Sequence, residues 1–238
     1  AQKIYKKILK IEPKNFDALQ LNATLLLQNK QYIEALTIFE IAIKIKPNFS
    51  QLHKNYGTTL EELKRYNEAL KSYNKAIQIN PNYLEAYISQ GNLLKKLKQF
   101  NKAIKSYDKI IKLKPNLAEA YFNRGTIMKE LNRFDEALKN YDQAILLNPT
   151  NANSYNNRGV VLKELKRFDE ALKSYNRAIQ IKFNYATAYN NRGILLHELK
   201  RFNDAIKSYD KAIEFNSEYA TAYNHRGVAF LYLKKFDE

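Results

Sequence analysis

Glycine and proline occur in this chain only at a fixed interval. The five prolines, Pro13, Pro47, Pro81, Pro115 and Pro149, stand 34 residues apart. The six glycines, Gly57, Gly91, Gly125, Gly159, Gly193 and Gly227, do the same, and neither residue appears outside its column. The 238 residues amount to seven such periods. A chain with this self-similarity has to build one small unit repeatedly, because no single large core can be laid out on a 34-residue clock. The columns run on into Phe183 and Ser217 at the proline place and Ala23 at the glycine place.

Other residues keep the same time. Tyr87, Tyr121, Tyr155, Tyr189 and Tyr223 form one column, and Tyr5, Tyr73, Tyr107, Tyr141, Tyr175 and Tyr209 another, with Phe39 in the same place. Ala35, Ala69, Ala103, Ala137, Ala171 and Ala205 form a third. Within one unit, Tyr121, Gly125 and Met128 are separated by four and three, which puts them on one helical face. Ala137, Tyr141 and Ala144 repeat that spacing one helix later. Between them Asn132-Arg133 interrupts the pattern, Asp135-Glu136 suits the positive end of a helix dipole, and Pro149 stops the second helix. Each unit therefore reads as two antiparallel helices of about 13 residues joined by short turns. The small Gly and Ala columns are expected where the two helix backbones approach closely, with Tyr and Leu or Met filling the space around that contact. One such hairpin cannot bury both apolar faces, so the units must stack.

Composition excludes several kinds of chemistry. There is no cysteine, which removes disulfides, thiolate metal sites and cysteine nucleophiles. No apolar run approaches the roughly 20 residues of a membrane span. Ala1-Gln2-Lys3 leads straight into patterned sequence, so no leader is expected. The three histidines, His53, His197 and His225, lie on different units without regular carboxylate partners, so neither a metal site nor acid–base chemistry is expected. Each glycine stands alone inside a helix, so no phosphate-cradling loop forms. The chain is expected not to be an enzyme and to hold no cofactor.

The Tyr–Gly–Leu and Ala–Tyr–Ala–Pro columns at period 34 resemble the tetratricopeptide repeat (TPR) family. The resemblance covers the whole chain and implies an all-α, right-handed superhelix. First helices would line a concave groove and second helices would form the convex back. In that frame residues 1–15 are a half repeat (a second helix), 16–219 are six complete repeats, and 220–238 are a half repeat (a first helix). The two half repeats could complete each other head to tail between molecules.

A family of this kind implies protein–protein interaction, intracellular and cytoplasmic, with no membrane contact. The expected ligand is a partner protein or extended peptide in the groove. Asn55, Asn123, Asn157 and Asn191, with Ser89 and His225 as departures, lie two residues after one tyrosine column and two before the glycine, roughly opposite the packed face. Asn156, Asn190 and Asn224 lie beside them, and Thr58, Asn92 and Thr126 extend the same surface. A side-chain amide both donates and accepts, so exposed amides in a row could hold a peptide backbone without reading its side chains. The run AYxNRG also resembles the asparagine-lined TPR arm of O-linked N-acetylglucosamine transferases. That likeness makes a substrate-recruiting arm of a larger glycosyltransferase the alternative function. The carboxylate clamp of chaperone adaptors is absent: Lys54 fits its first place, but Thr58, Ser89, Glu119 and Asn123 follow.

The formal charge of +16 supports a third alternative, a basic surface for nucleic acid or an acidic protein. Lys71, Lys105, Lys139, Lys173 and Lys207 each precede a core tyrosine by two residues and so face away from the core. Spread over the back and edges in this way, the charge reads as solvated surface, and nucleic acid is not the expected partner. Arg124, Arg158, Arg192 and Arg226, each directly before a glycine, are expected to pack their stems and send the guanidinium to solvent or a neighbouring unit.

Overall fold

The computed structural model describes residues 2–237, with side chains described through residue 234. Ala1 and Glu238, which set the phase of the two ends in the sequence, lie outside the described residues. The fold is all-α. Contacts divide the chain into two compact units, 1–115 and 116–238. The first contains α1 (Gln2–Ile11), α2 (Phe16–Gln28), α3 (Tyr32–Ile45), α4 (Ser50–Glu62), α5 (Tyr66–Ile79), α6 (Leu84–Lys96) and α7 (Phe100–Leu113). The second contains α8 (Ala118–Glu130), α9 (Phe134–Leu147), α10 (Ala152–Glu164), α11 (Phe168–Ile181), α12 (Ala186–Glu198), α13 (Phe202–Phe215) and α14 (Ala220–Asp237).

In each unit even-numbered helices are the first members of their hairpins and odd-numbered helices the second. Each first helix packs against the second helix that follows it and against the one that precedes it within the unit. First helices also touch the next first helix, α2 on α4 and α4 on α6 in one unit, α10 on α12 in the other.

The first helices end in a way that composition does not advertise. Lys30, Lys64, Lys98, Asn132, Lys166 and Lys200 all have φ between 56° and 61°, the left-handed region usually given to glycine. The backbone explains the ending. Lys64 N–H bonds to Glu61 O at 2.9 Å and Arg65 N–H to Leu60 O at 2.8 Å, the paired closure of a Schellman motif. The same two bonds recur at Lys166 and Arg167, 2.9 Å each. The chain then reverses into the next helix, whose first turn is held by an exposed ion pair: Arg65–Glu68, Arg133–Glu136, Arg167–Glu170 and Arg201–Asp204.

The core repeats one contact. A β-carbon built on Gly57, Gly125, Gly159 or Gly193 would meet the ring of Tyr73, Tyr141, Tyr175 or Tyr209, sixteen residues on, at 2.7, 3.1, 2.6 and 2.5 Å. Gly91 faces Tyr107 less tightly, at 3.3 Å. All five tyrosines are fully buried. The glycine is thus a seat for an aromatic ring. The second helix also comes close, as expected: Ala69 O stands 3.2 Å from the β-carbon place at Gly57, Asn140 Cβ 3.1 Å at Gly125 and Ser106 Cβ 3.3 Å at Gly91.

Burial of these rings has a pH consequence. Tyr141 is pushed from 10.0 up to about 12, chiefly by burial, against the opposing effect of its hydroxyl contacts. Tyr73, Tyr175 and Tyr209 are raised further for the same reason. Unfolded tyrosine loses its proton near pH 10 while the folded chain still holds it, so the stabilisation is complete below pH 10 and is lost as pH rises towards 12 and beyond. The melting temperature is expected to fall steeply above about pH 10, and to do so less in Tyr141→Phe. A flat melting profile between about pH 9 and 11.5 would contradict the assignment.

Candidate functional site

The first-helix face carries most of the polar residues singled out by sequence. In the 1–115 unit, Asn55 is buried and its Nδ2 donates to Thr24 Oγ1 on the preceding first helix, 3.4 Å away. Thr58 donates to Lys54 O at 3.1 Å. The Tyr73 hydroxyl reaches through to this face, donating to Glu61 Oε2 at 2.8 Å with Thr58 Oγ1 3.4 Å away. Tyr107 donates to Asn92 Oδ1 at 2.6 Å in the same manner. The pKa of Lys54 beside them is lowered by burial, partly opposed by the Glu85 carboxylate.

In the 116–238 unit the amides connect neighbouring first helices. Asn191 Nδ2 donates to Asn156 Oδ1 at 3.0 Å, thirty-five residues back on α10. Asn156 Nδ2 points to Asn157 Oδ1 at 3.3 Å. Asn190 Oδ1 lies 3.3 Å from His225 Nδ1 on α14. Thr126 donates to Phe122 O at 2.9 Å and stands 3.4 Å from the Tyr141 hydroxyl.

The expectation that this row is exposed therefore fails in part. Asn55, Asn123, Asn156 and Asn190 are buried; Asn157, Asn191, Thr58, Asn92 and Thr126 are half-buried; only Asn224 is exposed. The physical reason is lateral packing. A two-residue step does turn a side chain away from its own hairpin. First helices also lie against each other, however, and the strip between them is closed. A buried amide there must be bonded, and its partner comes from the adjacent repeat.

The arginines form a feature that spacing hinted at only loosely. Arg158 Nε meets Asp142 Oδ1 at 2.6 Å and its Nη1 donates to Ser174 Oγ at 2.7 Å. Arg192 donates to Asn176 Oδ1 at 2.9 Å and Ser208 Oγ at 3.2 Å. Arg226 meets Asp210 at 2.7 Å, and Arg124 Nε donates to Asn140 Oδ1 at 2.8 Å. Each of these partners is sixteen residues before or after its arginine. The guanidiniums of Arg158 and Arg192 each tie a first helix to the second helices on either side. Gln90 does the same with Asn74 and Ser106, at 2.6 and 2.7 Å. The guanidiniums go to neighbouring helices rather than to solvent, and burial lowers the Arg192 pKa. They are structural ties, not free ligand-carboxylate receptors.

At the rim of the first-helix face in the second unit, cations and anions neutralise each other: Lys129–Glu130, Lys163–Glu164 and Lys166–Glu198 lie at 3.4, 3.0 and 3.2 Å. No group of histidine and carboxylate side chains placed to hold a metal ion is found among the described residues. No described helix is long and apolar enough to cross a membrane.

Hairpins of this size, repeated in register with a ring seated on a glycine, define a helical repeat protein. Models described as tetratricopeptide repeat or TPR repeat match residues 1–54, 50–83, 72–105, 91–132, 125–166 and 150–218. Together they run unbroken over 1–218, and the chain belongs to the tetratricopeptide repeat family. No curated protein sequence matches it. Among solved structures it is similar to MamA, with 26% identity, a TM-score of 0.65, and coverage of 69% of this chain and 96% of that one. It is also similar to YrrB, described as a TPR protein with an unusual peptide-binding site, at 21% identity, TM-score 0.67, and coverage of 79% and 97%. PilF of Pseudomonas aeruginosa superposes with a TM-score of 0.73 at 14% identity, covering 89% and 96%. The last two likenesses speak to the fold alone.

Proposed function

We propose that the chain is a protein-interaction scaffold and that an extended peptide lies along its first-helix face. The supporting observation is the division of labour among the amides. The buried row of Asn156 and Asn190 fixes neighbouring first helices. Asn224 is exposed, and Asn157 and Asn191, half-buried, each offer a ligand only the part of the amide not engaged with Asn156. The paired rim charges leave the face without a strong sign, which suits recognition of a peptide backbone rather than of a charged tail. YrrB, with its peptide-binding site, is a precedent for the fold in such use.

The test is a peptide library selected on the wild-type protein and re-measured on the double variant Asn157→Asp with Asn224→Asp. The first change keeps the side-chain oxygen that Asn156 uses as its acceptor but removes the amide donor, which also contacts the Tyr141 hydroxyl. Affinity is expected to fall about tenfold or more, roughly 1.4 kcal/mol, with the helical signal unchanged. Wild-type affinity in that variant would overturn the proposal.

A second reading rests on α14. Among the described residues nothing lies within 4 Å of a β-carbon placed on Gly227, whereas every other glycine meets a tyrosine. Val228, Phe230 and Leu231 are 43%, 47% and 64% exposed on the same helix. The occupant we infer is α1 of a second copy, which carries Tyr5 in the column of the ring-donating tyrosines and exposes Ile4 and Ile11. Light scattering is expected to show mass rising with concentration, and less so in Tyr5→Ser. A monomer at millimolar concentration would refute it.

A further inference from the structure

The 16 surplus positive charges are not shared evenly. Residues 1–115 hold 21 Lys and Arg against 9 Asp and Glu, a net +12, while residues 116–238 hold 19 against 15, a net +4. Within the first unit the surplus is largest on two second helices: α1, with four lysines and no acid, and α7, with four lysines and Asp108. In α3, α5, α9, α11 and α13 the third residue of the helix is an acid: Glu34, Glu68, Glu136, Glu170 and Asp204. In four of these helices it pairs with the arginine that precedes the helix. In α7 that place is Lys102, and the preceding residue is Gln99, which accepts a bond from the Lys102 ammonium at 3.0 Å. Near the other end of the helix the contrast is with α13 alone, since α3, α5, α9 and α11 have Lys44, Gln78, Leu146 and Gln180 at the place of its Glu214. Lys211 and Glu214 form a 2.7 Å ion pair in α13, and the equivalent residues of α7 are Lys109 and Lys112.

Lys102, Lys105, Lys109 and Lys112 are separated by three, four and three residues. At about 100° per residue they fall within an arc of about 80° and extend over about 15 Å of helix. Lys102, Lys105 and Lys112 are exposed, and among the described residues the ion pairs of sister helices have no counterpart along this stripe, whose neighbouring acid on α7 is Asp108. Like charges at these spacings destabilise a helix, so the stripe costs the fold stability that the acids of sister helices supply. Beside it, between α5 and α7, lies an open crevice of about 300 Å³ lined by Lys102, Lys105, amides such as Asn74 and Gln90, and the half-buried Tyr87 and the buried Leu94, with no carboxylate. The equivalent crevice between α11 and α13 includes Asp204.

We infer that the lysine stripe of α7 docks an acidic helical segment of a partner protein. Carboxylates along one face of a helix recur at the same three- and four-residue steps, so the two stripes can run in register. Charge complementarity is the driving term, four lysines against the single Asp108 of the same helix. Other polyanions fit less well. The stripe contains no arginine for bidentate base or phosphate recognition. No large apolar or aromatic side chain between residues 42 and 145 is strongly exposed, so α7 offers neither a stacking platform for single-stranded nucleic acid nor an apolar face for membrane insertion. This surface lies on the second helices, apart from the first-helix face proposed above, and does not depend on it.

The experiment uses the full chain and a fluorescein-labelled helical peptide with glutamates at steps of three, four and three. A duplex of about 20 base pairs and phosphatidylserine vesicles serve as comparators. Lys102→Glu with Lys112→Glu gives α7 acids at the two places where α13 carries Asp204 and Glu214. It is expected to keep or raise the melting temperature while weakening peptide binding at least tenfold. Lys139→Glu with Lys173→Glu makes the same charge change in the other unit and is expected to weaken it less than twofold. Wild-type binding is expected to fall as salt is raised from about 50 to about 200 mM. Should the glutamate pair fail to fold, Lys102→Gln with Lys112→Gln is expected to give a smaller loss in the same direction. Equal losses in the two units would overturn the assignment. So would absence of peptide binding at about 50 mM salt, or tighter binding of the duplex or vesicles with the same sensitivity to α7.

Discussion

Tyr175→Ala is expected to lower stability by about 3–5 kcal/mol, the range for removing a buried aromatic ring. Tyr175 is 1% exposed, and its ring fills the hollow over Gly159, with Cε1 2.6 Å from where a β-carbon would stand. Alanine would leave that hollow empty between α10 and α11. The hydroxyl contributes less: burial and nearby carboxylates raise its pKa, and Tyr175→Phe, which keeps the ring, is expected to cost under about 1 kcal/mol. Urea unfolding gives the overall change. Because repeat arrays lose cooperativity, hydrogen exchange should place the loss in α10 and α11 first. An alanine variant with wild-type exchange there would mean that the ring is not the filler of that hairpin.

The second large effect comes from the other side of the same contact. Gly193→Leu is expected to cost about 1–3 kcal/mol or more by overpacking. Its β-carbon alone would stand 2.5 Å from Tyr209 Cε1, and the branched end has nowhere to go but into the buried ring. Gly227→Ala should act oppositely. Among the described residues nothing lies within 4 Å of that position, so alanine only removes the backbone freedom of a helical glycine and should stabilise by up to about 1 kcal/mol. Two glycines of one sequence column thus give opposite signs, and chemical denaturation of the two variants decides the matter. Loss at both places would show that the glycine is kept for something other than a ring.

The hairpin and its period were legible because the residues that set them are categorical. Pro149 stops a helix and Gly125 marks a packed face, and five prolines and six glycines in step leave little room for another fold. The turn geometry was less legible, since a lysine at φ 60° such as Lys166 looks like any surface lysine. The candidate site was only half legible. Rotation about one helix predicts that Asn123 and Asn156 leave their own hairpin, but both are buried. Asn156 is covered from a helix one repeat away, where Asn191 bonds to it, and single-helix geometry has no knowledge of that neighbour. The reach of Arg158 to Asp142 and Ser174 was missed for the same reason, although the recurrence of polar partners sixteen residues to either side was present in the sequence. The α7 departure was readable too: Lys102 breaks a column of acids, and comparing columns of charge as closely as columns of glycine would have found it.

The arginine ties bear on how such a chain can change its length. Arg158 and Arg192 each find one acceptor sixteen positions upstream and another sixteen positions downstream. Splicing in one more 34-residue cassette of this kind supplies a new arginine together with the acceptors its neighbours need, and excising one leaves no buried charge stranded. Gene duplication and slippage can therefore lengthen or shorten the array without a compensating mutation, whereas a cut at any other interval would orphan a partner on both sides of the seam.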